Sequence, residues 1–233
     1  VIKAWLNGHQ FDLEDLADLL PTGDMRVVRE GEGYYLTSSL MDSPPDGKQF
    51  YEIAPDLLTR ANGLGRVHNP SFRPVTLAMN FDDGDHVHHV VLADTVEARS
   101  KLRAVAVVTS ADGEPMPQPP PPSPRHASVG SRDADVTQAL AIMGQPAPLG
   151  WVELYKIYEI VKASGALPPA RDAAGLTDAD LSRFTHTANH PDASGDDSRH
   201  ARSAQQPPRT PMPIEQARDL ASRLVRAWIE LHT

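Results

Sequence analysis

Seven of the ten residues from Pro115 to Pro124 are proline, and no other feature restricts the fold of this chain so much. Proline fixes φ and lacks a backbone donor, so such a stretch favours extended polyproline II and cannot enter a helix interior or a central strand. Ser123 to Ser131 continues it with small and polar residues. Residues 112–132 therefore read as a Pro-rich linker, with Pro119–Pro122 also suited to a proline-recognising groove. Either side, 1–111 and 133–233, is long enough to bury a core, and two separately packed domains are expected.

The first part reads as mixed helix and strand. Ile2 to Leu6 suits a strand. Asp12 stands where it can cap a helix carrying Leu13, Leu16, Ala17 and Leu20 on one face, with Pro21 and Gly23 ending it. Met25–Glu30 and Tyr34–Thr37 are strands around a Gly31-Glu32-Gly33 turn. Phe50, Ile53, Ala54, Leu57, Leu58 and Ala61 repeat at helical spacing, and Asn62-Gly63 suits a left-handed helix end. Val75–Phe81 alternates like a strand, turns at Asp82–Asp85 and returns over His86–Asp94. Val96–Ala98 and Leu102–Thr109 extend the meander. The fold class is α+β: an antiparallel sheet with two helices, then an all-α bundle.

The second part shows no strand pattern. Val136–Met143 is a short helix. Leu149–Val161 is a longer one, broad enough in its apolar surface for the centre of a bundle. Thr177-Asp178-Ala179-Asp180 resembles a capping box, with Leu176 and Leu181 as its staple. Ile214, Ala217, Ala221, Leu224, Trp228 and Leu231 form one stripe, with Pro213 at the first helical position. The proline-containing run 191–211 is a long polar loop.

Composition narrows function mainly by exclusion. With 22 basic and 31 acidic residues the formal charge is −9, against a surface that grips nucleic acid throughout. The absence of cysteine removes disulfides, thiolate nucleophiles and cysteine-ligated metals. No run is apolar enough to span a membrane, and Val1–Leu6 lacks the core of a signal peptide. The expectation is a cytoplasmic, bacterial-type protein.

The densest polar chemistry lies in Arg183-Phe184-Thr185-His186-Thr187-Ala188-Asn189-His190, followed by Asp192, Asp196, Asp197, Arg199 and His200. Arginine and histidine are the pair metal-free RNA cleavage needs, one to steady phosphorane charge and one to move a proton for the 2′-hydroxyl. Six residues separate Arg183 from His190, and in this the region 133–233 resembles the HEPN superfamily of helical ribonucleases, with Phe184 where that family places a polar residue. The resemblance implies His190 as general acid/base, Arg183 as phosphate clamp, Asn189 and His200 as lesser participants, RNA as substrate and a site completed by a second subunit.

Elsewhere, Gly63-Leu64-Gly65-Arg66-Val67-His68-Asn69-Pro70 follows a helix instead of a strand, so it is no dinucleotide fingerprint. Arg66, His68, Asn69 and Arg73 could still hold an anion. His86 and His88 share a strand face beside Asp83 and Asp85, with His89 opposite, but need a third ligand. His186 and His190 could be joined by Asp192, Asp196 or His200, but Pro191 ends any helix there and no His-Glu-x-x-His pattern is present, so neither metal nor cofactor is expected. Arg218, Arg223 and Arg226 could contact phosphate, but they alternate with Glu215, Asp219 and Glu230 like a solvated helix face. The leading expectation is an interaction or sensor protein without a catalytic site, meeting a protein partner or itself through its helical part. The alternative is the HEPN-type endoribonuclease.

Overall fold

The computed structural model describes residues 1–45, 47–89, 123–195, 198 and 206–232. Five strands, β1 (Lys3–Asn7), β2 (Arg26–Glu30), β3 (Gly33–Thr37), β4 (Thr76–Asp82) and β5 (Val87–His89), form an antiparallel sheet in the order β2-β3-β1-β4-β5. Registers Val27↔Leu36, Ala4↔Leu36 and Ala4↔Phe81 line up one apolar row across four strands. The two-residue period sends that row inward and leaves Trp5 and Tyr35 on the other face, their rings 5.5 Å apart. Gly33 makes room for that indole, since a Cβ there would lie 2.6 Å from it.

Helices α1 (Gln10–Leu19) and α3 (Phe50–His68) pack on the sheet, with a single turn, α2 (Ser39–Asp42), between them. The expected α+β architecture is what forms. Two helix ends differ from expectation. The α1 cap is His9, whose Nδ1 accepts from the Phe11 amide at 3.4 Å. Asp12 is instead buried, accepting the Arg73 amide at 3.1 Å. And α3 does not stop at Asn62-Gly63. Asn62 folds its amide onto the backbone of Val75, donating to its oxygen at 2.9 Å and accepting from its nitrogen at 3.0 Å. A side chain that would have favoured a helix end is thus occupied by the start of β4, and the helix continues to His68.

The helical part comprises α4 (Ser123–Arg132), α5 (Ala134–Met143), α6 (Trp151–Ala163), α7 (Leu167–Ala173), α8 (Asp178–Ala188), α9 (Pro191–Ser194) and α10 (Ile214–Glu230). Residues 123–132, read as linker, are helical, because His126 and Ala127 are buried against α3, α5 and α10. Composition could not show that burial. The rest of the proposed linker, and the strands expected over 96–109, lie outside the described residues. Helix α7, whose first turn holds Pro168 and Pro169, has no counterpart in the sequence reading. The capping box is present: Thr177 Oγ1 accepts from the Asp180 amide at 3.1 Å and Asp180 Oδ2 from the Thr177 amide at 2.9 Å. Pro213 is the cap of α10, one place earlier than expected.

The two parts share one interior. Buried apolar residues run as a single cluster from Leu16 and Leu36 through Leu57 and Leu64 to Leu140, Ile157, Leu224 and Trp228. Separate cores, as expected from the linker, are therefore not what the described residues form. Helix α3 is the shared element, touching α1 and β4 on one side and α5 and α10 on the other. Its approach to α5 is set by glycine. A Cβ on Gly63 would run into the carbonyl oxygen of Leu140, and one on Gly144 into that of Thr59. The glycines of the Gly-x-Gly run thus serve packing: Gly65 likewise faces the Phe72 ring, 2.7 Å from where its Cβ would be.

Alanine is a better helix former than glycine by about 1 kcal/mol. At Gly63 the collision with backbone should overwhelm that gain, so Gly63→Ala is expected to lose about 1–3 kcal/mol in urea unfolding. Gly130→Ala is the control, because its Cβ meets only the end of the Leu140 side chain at 2.8 Å. It should be much the milder of the two.

Candidate functional site

Where α3 ends, the chain turns through Pro70-Ser71-Phe72-Arg73-Pro74 into β4; where α5 ends, it passes through Gln145-Pro146-Ala147-Pro148 into α6. Prolines stiffen both connections. Between them, with α10 closing one side, lies a cleft of about 610 Å³. That is within the range of about 300–1,000 Å³ usual for small-ligand sites. Arg66, Arg73 and Arg218 line it, together with Ser71, Ser222 and Glu215.

Arg66 is buried and holds the cleft together. Its Nη1 donates to the carbonyls of Met143 at 2.8 Å and Gln145 at 2.6 Å, and Nη2 to that of Ala147 at 3.1 Å. A cation at the carboxyl end of α5 satisfies carbonyls the helix leaves over and meets the negative end of its dipole. Ser222 of α10 donates to the Arg66 carbonyl at 3.2 Å, tying the third wall in. Burial, and secondarily the charge of Arg218, lower the Arg66 pKa to about 10, which still leaves it cationic at neutral pH. Arg218 donates through Nε to the Leu149 carbonyl at 2.9 Å and through Nη1 to Glu215 at 2.6 Å.

Of the four residues read as anion ligands, the structure brings Arg66 and Arg73 to the cleft. The other two face elsewhere. Asn69 donates to Asp15 at 2.9 Å and accepts the Ser71 amide at 3.0 Å, shaping the turn. His68 meets His126 of α4, with Nε2 and Nδ1 3.1 Å apart and the rings stacked at 5.2 Å. Ser222 escaped the sequence reading, and Arg218 entered it only as one of three arginines on a solvated face. Alternation with acids made the α10 arginines look solvated, yet each reaches a carbonyl on a neighbour. Arg223 donates to Ala174 at 2.6 Å, at the end of α7, and Arg226 to Val67 at 2.7 Å, at the end of α3. Only the last turns of α3 and α7 in space could have revealed this.

In the region carrying the HEPN resemblance, Arg183 and His190 each have backbone partners. The Arg183 guanidinium donates to the carbonyls of Thr210 at 2.9 Å and Pro211 at 2.8 Å, pinning the chain ahead of α10. His190 is buried, and its Nδ1 accepts the Asp192 amide at 3.3 Å as the cap of α9. Asn189 is the residue closing α8. The groove that Arg183 lines together with His186 and Gln206 does not include His190 among its described residues. His200, Asp196, Asp197 and Arg199 lie outside them. His186 Nε2 lies 3.1 Å from the Gln206 carbonyl.

On the sheet, His88 Nε2 is 3.0 Å from Asp83, and this bond, with the His86 and Asp85 amides, holds the Asp83 carboxyl well below the usual carboxylate range. The His89 side chain is outside the described set. Among the described residues no three histidine or carboxylate side chains are placed to hold a metal ion. Compared with models of known families, with curated proteins and with solved structures, the chain matches none of them.

The imidazole pair makes stability depend on pH. Burial first, then Arg226 and His126, push the His68 pKa down to about 4 from an ordinary value of 6.5, and burial lowers that of His126. Both rings are neutral in the folded state at pH 7. In the unfolded chain they take up protons first, so their contribution is full above about pH 6.5 and falls as pH drops from there towards 4. The urea midpoint is expected to decline between pH 7 and 5. In His68→Phe, which keeps a ring but removes one of the titrations, the decline should be visibly shallower.

Proposed function

We propose that this protein is a ligand-responsive sensor without a catalytic step, and that its ligand occupies the cleft between the sheet-bearing part and the helical part. One observation carries the reading. The three walls come from the α3–β4 connection, the α5–α6 connection and α10, which are far apart in sequence and meet at the cleft. A molecule seated among them touches both parts at once, and any ligand that prefers the assembled arrangement stabilises it by mass action. The polar groups at the cleft are engaged structurally rather than poised for chemistry. Ser222 donates to a backbone carbonyl and Glu215 is paired with Arg218. Neither serine has a histidine among the lining residues to act as its base.

The test is hydrogen exchange with and without a fragment bound. Occupancy is expected to slow exchange in 70–74 and in 145–149 together. Protection confined to one connection would overturn the clamp. The reading also contains no ribonuclease step: labelled RNA incubated with the protein in EDTA should remain intact. Cleavage that disappears in His190→Ala would put the HEPN-type endoribonuclease in its place.

A further inference from the structure

We infer that the cleft takes a small molecule bearing a carboxylate or phosphate group, an assignment that rests on the cleft being a ligand site. Three guanidinium side chains, Arg66 from α3, Arg73 from the connection to β4 and Arg218 from α10, line one cleft, against a single carboxylate among the described lining residues, Glu215. Arg66 sets the sign. It is buried, its guanidinium donates to backbone carbonyls, and no carboxylate among the described residues pairs with it. Carbonyl dipoles satisfy its hydrogen bonds but leave a full positive charge in a poorly solvated wall. A buried cation without a counter-charge is costly, and an incoming anion relieves that cost.

Geometry adds direction. Arg218 is held between the Leu149 carbonyl and Glu215, so its charge is fixed at the cleft wall instead of sweeping through solvent. Arg73 follows Phe72, which is buried against the Gly65 turn of α3, and its own amide is anchored on Asp12. Two of the three cations are thereby presented by well-packed backbone or side-chain contacts, the pre-organisation that keeps the entropic cost of binding small. Pro70, Pro74, Pro146 and Pro148 supply apolar rims on the two connections. The matching ligand has an oxyanion at one end and a compact, largely apolar body at the other. Arginine forks suit both carboxylate and phosphate oxygens.

The full chain is titrated calorimetrically with succinate, with inorganic phosphate and with succinamide, a neutral analogue of the first, at constant ionic strength. Succinate or phosphate, or both, should bind and succinamide should not; whichever anion binds more tightly identifies the headgroup. Arg73→Gln and Arg218→Gln should each weaken that binding about tenfold. Glu215→Gln, which removes the carboxylate paired with Arg218, should strengthen it. This opposite sign separates an electrostatic site from damage to the fold, which would weaken binding in every variant. Equal binding of succinamide and succinate would overturn the anion assignment while keeping the cleft as a ligand site. If none of the three probes binds, and a fragment screen containing neutral and cationic molecules finds no ligand protecting 70–74 and 145–149, both readings fall.

Discussion

Helix α3 can lie between the sheet and the helical part only because its surface is notched where α5 crosses it. Ridges of side chains ordinarily hold helices about 8–10 Å apart. Here Gly63 accepts the Leu140 backbone, and Gly144 accepts that of Thr59, so two helices from different parts of the chain meet backbone to backbone. That contact brings the carboxyl end of α5 within reach of Arg66. The guanidinium then gathers the Met143, Gln145 and Ala147 carbonyls. Without the glycine notch, neither the arginine clamp nor the cleft beside it would form.

The same device recurs. Arginines reach the carboxyl ends of helices on neighbouring elements: Arg66 at α5, Arg226 at α3, Arg223 at α7. Each end has carbonyls left without intrahelical donors and a partial negative charge. A guanidinium answers both, and its planar set of donors lets one side chain serve two or more carbonyls. In a chain with 22 prolines and many short helices, such ends are numerous. Cationic caps tie helices together across the molecule without demanding further apolar surface.

A basic cleft in a chain of net charge −9 is a local matter rather than a property of the whole surface. The arginines that line it do two jobs, joining connections and leaving positive charge beside them. That double use explains why function and packing are hard to separate here. It also explains why Arg73, Arg218 and Glu215 are more informative positions than Arg66, which the fold itself needs.

What could be read from the residues in order was whatever depends on local periodicity and capping: the strands β1 to β4, the helices α1, α3, α5, α6, α8 and α10, the Thr177 capping box and the α+β class. These follow from side-chain spacing and from backbone groups within a few positions of each other. The candidate site was legible only in part, as Arg66 and Arg73. Arg218 and Ser222 were not, because their roles depend on which helix end lies opposite α10. Helix α4 looked like linker because its stability comes from burying His126 and Ala127 on distant elements, not from propensity. Tertiary structure alone decided that the glycines after Asn62 pack helices instead of ending one, that one interior serves both parts, and that a cleft opens between them. Contacts between residues tens of positions apart are made by shape and charge in three dimensions, and no short-range pattern encodes them.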